Sequence, residues 1–174
     1  DLNGVNGAIT YSGAVGAFMV NVTTGISKPI IGPAQLDLNS INVSGAAGTL
    51  LVSISDTGFT GNTNAFTASY GGTTQGAVDF SFLYDAGNQQ FGGSPFAADS
   101  FVSSAGNYAF ADDLVGSVTA GSPFSLSILT QIIHDSAGDV TSFDAQITPV
   151  PLPASIWLFG TALAGFAGLR RKRR

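Results

Sequence analysis

The chain has 174 residues, contains no Cys, and carries a formal net charge of −5. Its 11 acidic residues are all Asp, and five of its six basic residues close the chain: Arg170, Arg171, Lys172, Arg173 and Arg174. Eleven Asp against Lys28 give residues 1–149 a net charge of −10, which argues against nucleic acid as a partner. Without Cys, disulfides and thiolate metal sites are excluded.

Residues 1–149 have the composition of a β-rich domain. Glu is absent and Lys28 is the single Lys of this region, so two good helix formers are nearly missing. Gly, Ser, Thr and Val are abundant, as is typical of strands joined by turns. Eleven of the chain's thirteen Phe and all four Tyr lie in this region, where they supply apolar surface for a core and argue against disorder. The length predicts one folded domain.

In the first third of the chain, alternating apolar and polar residues predict four strands, at residues 8–11, 18–23, 36–43 and 50–55. The alternation slips near Ser40, which indicates a bulge. A Gly-rich turn at 45–48 favours a hairpin between the third and fourth of these strands. Residues 56–58 are expected to form a turn.

Further strands are predicted at residues 65–70, 77–84, 108–110, 115–119, 124–134 and 140–148. Gly71 and Gly72 are expected to end the first of these strands, and residues 89–100 are expected to form a loop. We therefore expect about nine to eleven short strands in an antiparallel β-sandwich over residues 1–149. Pro149, Pro151 and Pro153 predict a stiff extended link beyond it.

Residues 150–174 form a separate C-terminal segment with an apolar stretch and a basic end. A helix over residues 152–169 would span about 27 Å, close to the thickness of a membrane's hydrocarbon core. The segment predicts a transmembrane helix with its basic end in the cytoplasm; the alternative is a soluble core helix. Gly160, Ala164 and Gly168 form a stripe of small residues that either packs against another membrane helix or reflects ordinary helix composition.

Three motifs follow one another in this segment: Val150-Pro151-Leu152-Pro153, then Trp157-Leu158-Phe159 in the apolar stretch, then the basic end. Their order and spacing resemble the PEP-CTERM sorting signal of Gram-negative bacteria. Leu152 stands where the Pro-Glu-Pro form has an acid. The match is therefore to the Val-Pro-Leu-Pro variant, and which sorting enzyme reads it stays open.

The resemblance implies an exported protein that is held in the inner membrane by its tail and cut near the proline motif by an exosortase. It also implies a final place at the cell surface or in the extracellular matrix, in a family associated with exopolysaccharide, biofilms and flocs. No signal peptide is visible at Asp1. We expect Asp1 to be a mature N-terminus; the alternative is that the chain is a fragment.

Residues suited to catalysis are few. His134 is the single His, and a Ser–His–Asp arrangement around it is formally available, although no nucleophile-elbow pattern accompanies it. We expect His134 to face solvent at a strand end, and we expect no enzymatic activity. A hydrolase using His134 is the alternative.

Calcium is the one metal that the sequence favours, through Asp112 with Asp113 and through Asp135 with Asp139. Neither pair has the spacing of an EF-hand loop, and Asp in turns commonly bonds to the backbone instead. We therefore expect no cofactor, with calcium as the weaker alternative.

Three functions remain open from the sequence. The first is a surface or matrix structural protein whose sheet edges pair with identical subunits into filaments. The second is a carbohydrate-binding module for exopolysaccharide, with a sugar-binding face formed by Tyr11, Tyr70, Tyr84 and Tyr108. The alternative for these tyrosines is partly buried scaffold. The third is the hydrolase.

Overall fold

The computed structural model describes residues 1–61, 63–104 and 106–150, and its regular elements there are ten β-strands. They are β1 (Ala8–Val15), β2 (Phe18–Ile26), β3 (Leu36–Gly45), β4 (Gly48–Phe59), β5 (Ala65–Thr74), β6 (Ala77–Asp85), β7 (Ser94–Val102), β8 (Tyr108–Ser117), β9 (Phe124–His134) and β10 (Val140–Pro149).

The strands form two sheets with antiparallel pairing throughout. One sheet has six strands in the order β1-β2-β3-β10-β5-β8, and the other has four in the order β4-β9-β6-β7. The expected all-β antiparallel class is confirmed. The predicted C-terminal helix, with Trp157 and the basic end, lies outside the described residues. Within the described ranges, no helix is long and apolar enough to cross a bilayer.

The strands alternate because one face of each sheet lies against the other sheet. In β9, Phe124, Leu126 and Ile128 are fully buried in the core, as the sequence predicts. Ser125 and Ser127 point to the outer face, yet they are also buried, because the loop after β6 covers them. The Ser125 hydroxyl donates to the Gln89 carbonyl at 2.6 Å.

Aromatic rings join the two sheets around Phe80 of β6. Its ring centroid lies 4.8 Å from that of Tyr70 in β5, 5.2 Å from Phe143 in β10 and 5.8 Å from Phe110 in β8. Phe80 is thus in contact with three strands of the opposite sheet. Burial of one aromatic side chain stabilises a fold by about 1.5–3 kcal/mol, so this cluster contributes a large part of the core.

The predicted hairpin between β3 and β4 is wrong. β3 pairs with β2 and β10, whereas β4 pairs with β9 in the other sheet. The turn between Gly45 and Gly48 therefore connects the six-stranded sheet to the four-stranded sheet. Both of these glycines have positive φ, 145° and 146°, which side chains rarely adopt.

Two predicted chain breaks are also wrong, because the strands continue through them. Residues 56–58 belong to β4, where a bulge lies between Asp56 and Phe59. Gly71 and Gly72 lie inside β5. A Cβ on Gly72 would lie 2.1 Å from the Ser142 carbonyl oxygen, so Gly is required there by the close approach of β10 and not by a turn.

The predicted loop at 89–100 is wrong over its second half, which forms β7. This strand is an edge, which tolerates Pro95, and its register shifts beside that residue. The two short strands predicted between residues 108 and 119 are one strand, β8, and Asp112 and Asp113 lie within it. The predicted bulge at Ser40 is confirmed, because β3 has one residue more than β10 between Leu38 and Ile41.

The end of the sandwich lies at the start of the proline motif. Pro149 pairs with Phe66, and the Val150 N–H donates to the Ala65 carbonyl at 3.0 Å. The predicted link therefore does not begin at Pro149, which belongs to β10. Pro151 and Pro153 lie outside the described residues.

We predict that Gly72→Ala lowers the free energy of unfolding by about 1–3 kcal/mol, because overpacking against fixed backbone has that cost. The added methyl would meet the Ser142 carbonyl oxygen at 2.1 Å and the Phe143 Cα at 2.7 Å. Gly71→Ala is the matched control, since its nearest neighbour is the Ala111 side chain at 3.3 Å. Urea unfolding of both variants checks the prediction, and equal stabilities would contradict it.

Candidate functional site

An open groove of about 540 Å³ lies on the outer face of the six-stranded sheet. Four of its strands contribute side chains, and eight of the lining residues lie at outward positions of β3, β10, β5 and β8. These are Asp37, Asn39, Asp144, Gln146, Ser69, Gly71, Ala111 and Asp113. We call this surface the acidic groove.

Strand register brings these residues together. Gln146 of β10 lies opposite Asp37 of β3 on one side and opposite Ser69 of β5 on the other. Ser69 in turn lies opposite Asp113 of β8. Polar residues from four strands thus form one continuous row across the sheet. Because of the bulge in β3, residues 39 and 40 of that strand lie opposite the single β10 residue Asp144.

Negative charge dominates the acidic groove. Burial raises the pKa of Asp37, and the neighbouring Asp144 carboxylate raises it further, while a hydrogen bond from Asn39 lowers it. The Asn39 amide donates to Asp37 Oδ2 at 2.8 Å. The groove therefore disfavours anions and offers carboxylate and amide groups to hydroxyl donors or cations.

The four tyrosines do not form one sugar-binding face, and Tyr70 and Tyr84 bear out the alternative of buried scaffold. Tyr70 and Tyr84 are buried in the core, with exposures of 5% and 8%. Tyr11 and Tyr108 are partly exposed but lie on β1 and β8, the opposite edges of the six-stranded sheet. The Tyr70 hydroxyl donates to Asp99 Oδ2 at 2.7 Å. Its pKa is raised by burial and by that carboxylate.

His134 does not face solvent, so that expectation is also wrong. Its side chain is 1% exposed because it continues the inward-facing row of β9. Nε2 lies 3.0 Å from Thr141 Oγ1, which in turn lies 2.8 Å from Thr74 Oγ1. The ring packs against Phe18 at 5.6 Å between centroids.

Burial lowers the pKa of His134, and the carboxylates of Asp139 and Asp135 oppose that shift. Among the described residues, Nδ1 has no hydrogen-bond partner. A second ring proton would therefore be buried without an acceptor, which adds to the cost of charging the ring.

The two candidate calcium pairs lie in different places. Asp112 and Asp113 line the acidic groove, whereas Asp135 and Asp139 flank the turn between β9 and β10. Asp139 Oδ2 accepts hydrogen bonds from the backbone N–H groups of Asp135 and Ser136, at 3.1 and 2.9 Å. No group of three or more metal-ligating side chains occurs in the part of the chain that the structure describes.

Lys28 is held by its neighbours. Its ammonium group donates to Asp56 Oδ2 at 2.7 Å and lies 4.3 Å from the centroid of the Phe59 ring. It also donates to the Thr57 carbonyl. The amine is therefore engaged in structural contacts at the end of β4.

Most residues of the acidic groove were not predicted from the sequence, including Asp37, Asn39, Asp144 and Gln146. Their alternation did predict that they point away from the core. The missing information was the pairing of β3 with β10, two strands almost one hundred residues apart, which no local signal encodes.

Comparison with known families identifies the end of the chain. Residues 149–173 match the PEP-CTERM protein-sorting motif. The resemblance seen in the proline motif, the apolar stretch and the basic end is thereby confirmed. This signal implies an exported protein with a membrane-anchored precursor that an exosortase sorts. The motif residues Pro151, Leu152 and Pro153 lie outside the described residues.

Solved structures with some likeness to the chain include carbohydrate-binding modules. A CBM36 module in complex with calcium and xylotriose has 15% identity, with 81% of this chain and 97% of that chain covered and a TM-score of 0.37. The CBM22-1 xylan-binding domain of Paenibacillus barcinonensis Xyn10C has 15% identity, coverage of 83% and 94%, and a TM-score of 0.36. These likenesses are too weak to carry an argument about ligands. No curated protein matches the chain.

We predict that stability declines as the pH falls below 6.5, the ordinary pKa of His, because folding favours the neutral His134 ring. The unfolded chain then binds the proton first, and the slope approaches about 1.4 kcal/mol per pH unit until the folded state is protonated too. His134→Gln should remove this component, which urea unfolding between pH 7.5 and 5 measures. Identical pH profiles for the two proteins would contradict the prediction.

Proposed function

We propose that the chain is a non-enzymatic structural protein of the cell surface or extracellular matrix. The observation that carries the proposal is the sorting motif at residues 149–173, which begins where a ten-stranded sandwich ends. The chain has no Cys, so its folding after export would not depend on disulfide formation. The sorted product would be this sandwich, released from its anchor.

The positions of His134 and Lys28 support a non-enzymatic role. His134 is buried and bonded to Thr141, so its ring does not reach a substrate at the surface. Lys28 is engaged by Asp56 and the Phe59 ring. A general base or an amine nucleophile has to reach the reacting atom, and neither of these groups does so.

Processing gives the first test. We predict that cells of the natural producer release a product that lacks most of residues 150–174, measured by intact mass of the extracellular fraction. Replacing both Pro151 and Pro153 by Ala should leave the full-length chain in the inner membrane, because the exosortase no longer reads the motif. Pro95→Ala, in edge strand β7, is the control and should be processed normally. A full-length product in the extracellular fraction would contradict the proposal.

The same cells test whether the role is structural. In a strain lacking the gene, the matrix or surface layer should be weakened and should recover with the wild-type gene. His134→Gln should restore it equally well, since no step of the proposed role uses the imidazole. Recovery with wild type but not with His134→Gln, at equal amounts of folded protein, would favour the hydrolase instead.

The acidic groove favours one second function, the binding of exopolysaccharide. Asp113, Asp144 and Gln146 offer carboxylate and amide groups in this groove, and such planar polar groups bind the hydroxyls of sugars. The groove is open and crosses four strands, which suits a polymer chain. No exposed aromatic ring lines it, so hydrogen bonding would have to supply the affinity.

We predict for this second function that Asp113→Asn weakens co-sedimentation with exopolysaccharide from the producing cells by about tenfold, because a hydrogen bond to a charged group contributes about 1.5–3 kcal/mol. Asp135→Asn is the matched control, since it makes the same charge change at an exposed turn outside the groove. The assay is run with and without added calcium. Absence of binding by the wild-type protein in both conditions would remove this function.

A further inference from the structure

The two sheets differ in width, and the difference leaves an open cleft at one edge of the sandwich. The six-stranded sheet continues through β2 to β1, whereas β4 is the edge strand of the four-stranded sheet. A groove of about 490 Å³ lies between β1 and β4. It adjoins another groove of about 770 Å³, and the residues that line both are Ile9, Gly25, Ile54, Ser55 and Gln90. We call the two together the edge cleft.

Two exposed aromatic rings line the apolar half of the edge cleft. Tyr11 of β1 is 39% exposed, and Phe91, in the loop after β6, is 48% exposed. The Tyr11 hydroxyl donates to the Ala14 carbonyl at 3.0 Å, which holds the ring along β1. The edge cleft therefore has the aromatic surface that the acidic groove lacks.

The backbone of Phe91 is held in a conformation that bulky residues avoid. Its φ is 55°, in the left-handed region. Hydrogen bonds fix the loop in place: the Phe91 N–H donates to Ser55 Oγ at 3.1 Å, and the Gly58 N–H donates to Asn88 Oδ1 at 2.6 Å. Strain of this kind is concentrated at ligand-binding sites. The fold thus keeps a large apolar ring at the surface in spite of its conformational cost.

The other half of the edge cleft is polar. Asn6 and Gln90 line it with exposed side chains, and neither amide has a hydrogen-bond partner among the described residues. An amide both donates and accepts, so these two groups are suited to the hydroxyls of a ligand.

The charged side chains of the edge cleft are engaged within the protein. The Lys28 ammonium group donates to Asp56 Oδ2 at 2.7 Å. Asp1 Oδ1 accepts hydrogen bonds from the backbone N–H groups of Asn3 and Thr10, at 2.8 and 2.9 Å. The cleft therefore offers rings and amides to a ligand, while each of its charged side chains already has partners.

We propose that the edge cleft binds a neutral polysaccharide chain. Tyr11 and Phe91 stack on sugar rings, and Asn6 and Gln90 bond to hydroxyls. A sugar ring has apolar C–H faces and polar hydroxyl edges, so it matches a cleft that combines exposed aromatic rings with amides. The proposal deepens the second function given above, exopolysaccharide binding, and rests on it.

Charge and polarity select this occupant. A charged polymer finds no free countercharge in the cleft, and the net charge of −10 over residues 1–149 repels anionic chains. A lipid tail or an apolar peptide would cover the amides of Asn6 and Gln90 without bonding to them. A strand from another chain finds the edge of β1 occupied, because the Leu2 N–H donates to the Thr10 carbonyl at 2.7 Å.

The probe for the test is exopolysaccharide from the producing cells, separated by anion exchange into a neutral and an acidic fraction. The full chain, held in lipid nanodiscs, is titrated with each fraction by isothermal calorimetry. We expect the neutral fraction to bind and the acidic fraction not to bind at the same sugar concentration. Tighter binding of the acidic fraction, or no binding of the neutral one, would overturn the proposal.

Phe91→Ala and Tyr11→Ala should each weaken binding of the neutral fraction by at least about tenfold, because each change removes an aromatic ring from the contact. Tyr11→Phe should bind within about twofold of the wild type, since the ring remains. Tyr108→Ala is the matched control, because it removes a ring that is 44% exposed on β8, outside the cleft. It should bind as the wild type does, and thermal melting verifies that all variants are folded.

The variants separate the failure of this proposal from the failure of the second function. If Asp113→Asn weakens binding while Phe91→Ala and Tyr11→Ala bind as the wild type does, the acidic groove is the site and the edge cleft is not. If the wild type binds neither fraction, the second function fails as well. Chemical cross-linking of two chains that Phe91→Ala abolishes, without any sugar binding, would assign the cleft to a second copy instead.

Discussion

The packing of two sheets of unequal width around one aromatic core determines most of what this molecule can do. Phe80 sets the separation of the sheets by contacting Tyr70, Phe110 and Phe143 of the opposite layer. The layers align at the end where β7 meets β8, so the excess width appears at the other end. The same packing takes His134 and Tyr70 into the interior, which leaves carboxylates and amides as the chemistry of the outer face.

Charge divides the surface into regions of different chemical character. The acidic groove concentrates Asp37, Asp113 and Asp144 on the outer face of the six-stranded sheet, while a second groove, between β1 and β4, is lined by uncharged residues. Like charges on the acidic face oppose random contact between copies, which suits the proposed role at a crowded surface.

Most strands could be predicted from the sequence, but their pairing partners could not, and particular residues show why. Phe124, Leu126 and Ile128 alternate with serines, and alternation is a local consequence of the pleat. Gly72 and Pro95 suggested chain breaks. In the structure, Gly72 allows β5 and β10 to approach closely, and Pro95 lies in the edge strand β7. The roles of both residues depend on which strands are neighbours in the sheet, which the local sequence does not show. The acidic groove and the burial of His134 depend on the same long-range pairing, whereas the sorting motif is a continuous segment that any local reading finds.

The hydrogen bond from the Val150 N–H to the Ala65 carbonyl extends the folded sandwich to Val150, close in sequence to the membrane anchor that the sorting signal implies. The apolar stretch starts at Ile156, and even a fully extended chain from Val150 to that point spans at most about 20 Å. In a precursor whose membrane anchor begins at Ile156, the folded domain would therefore lie close to the lipid headgroups until it is cut. A protease that cuts at the proline motif would then have little space between the domain and the bilayer, and separation of the last residue pairs of β10 from β3 and β5 would lengthen the link.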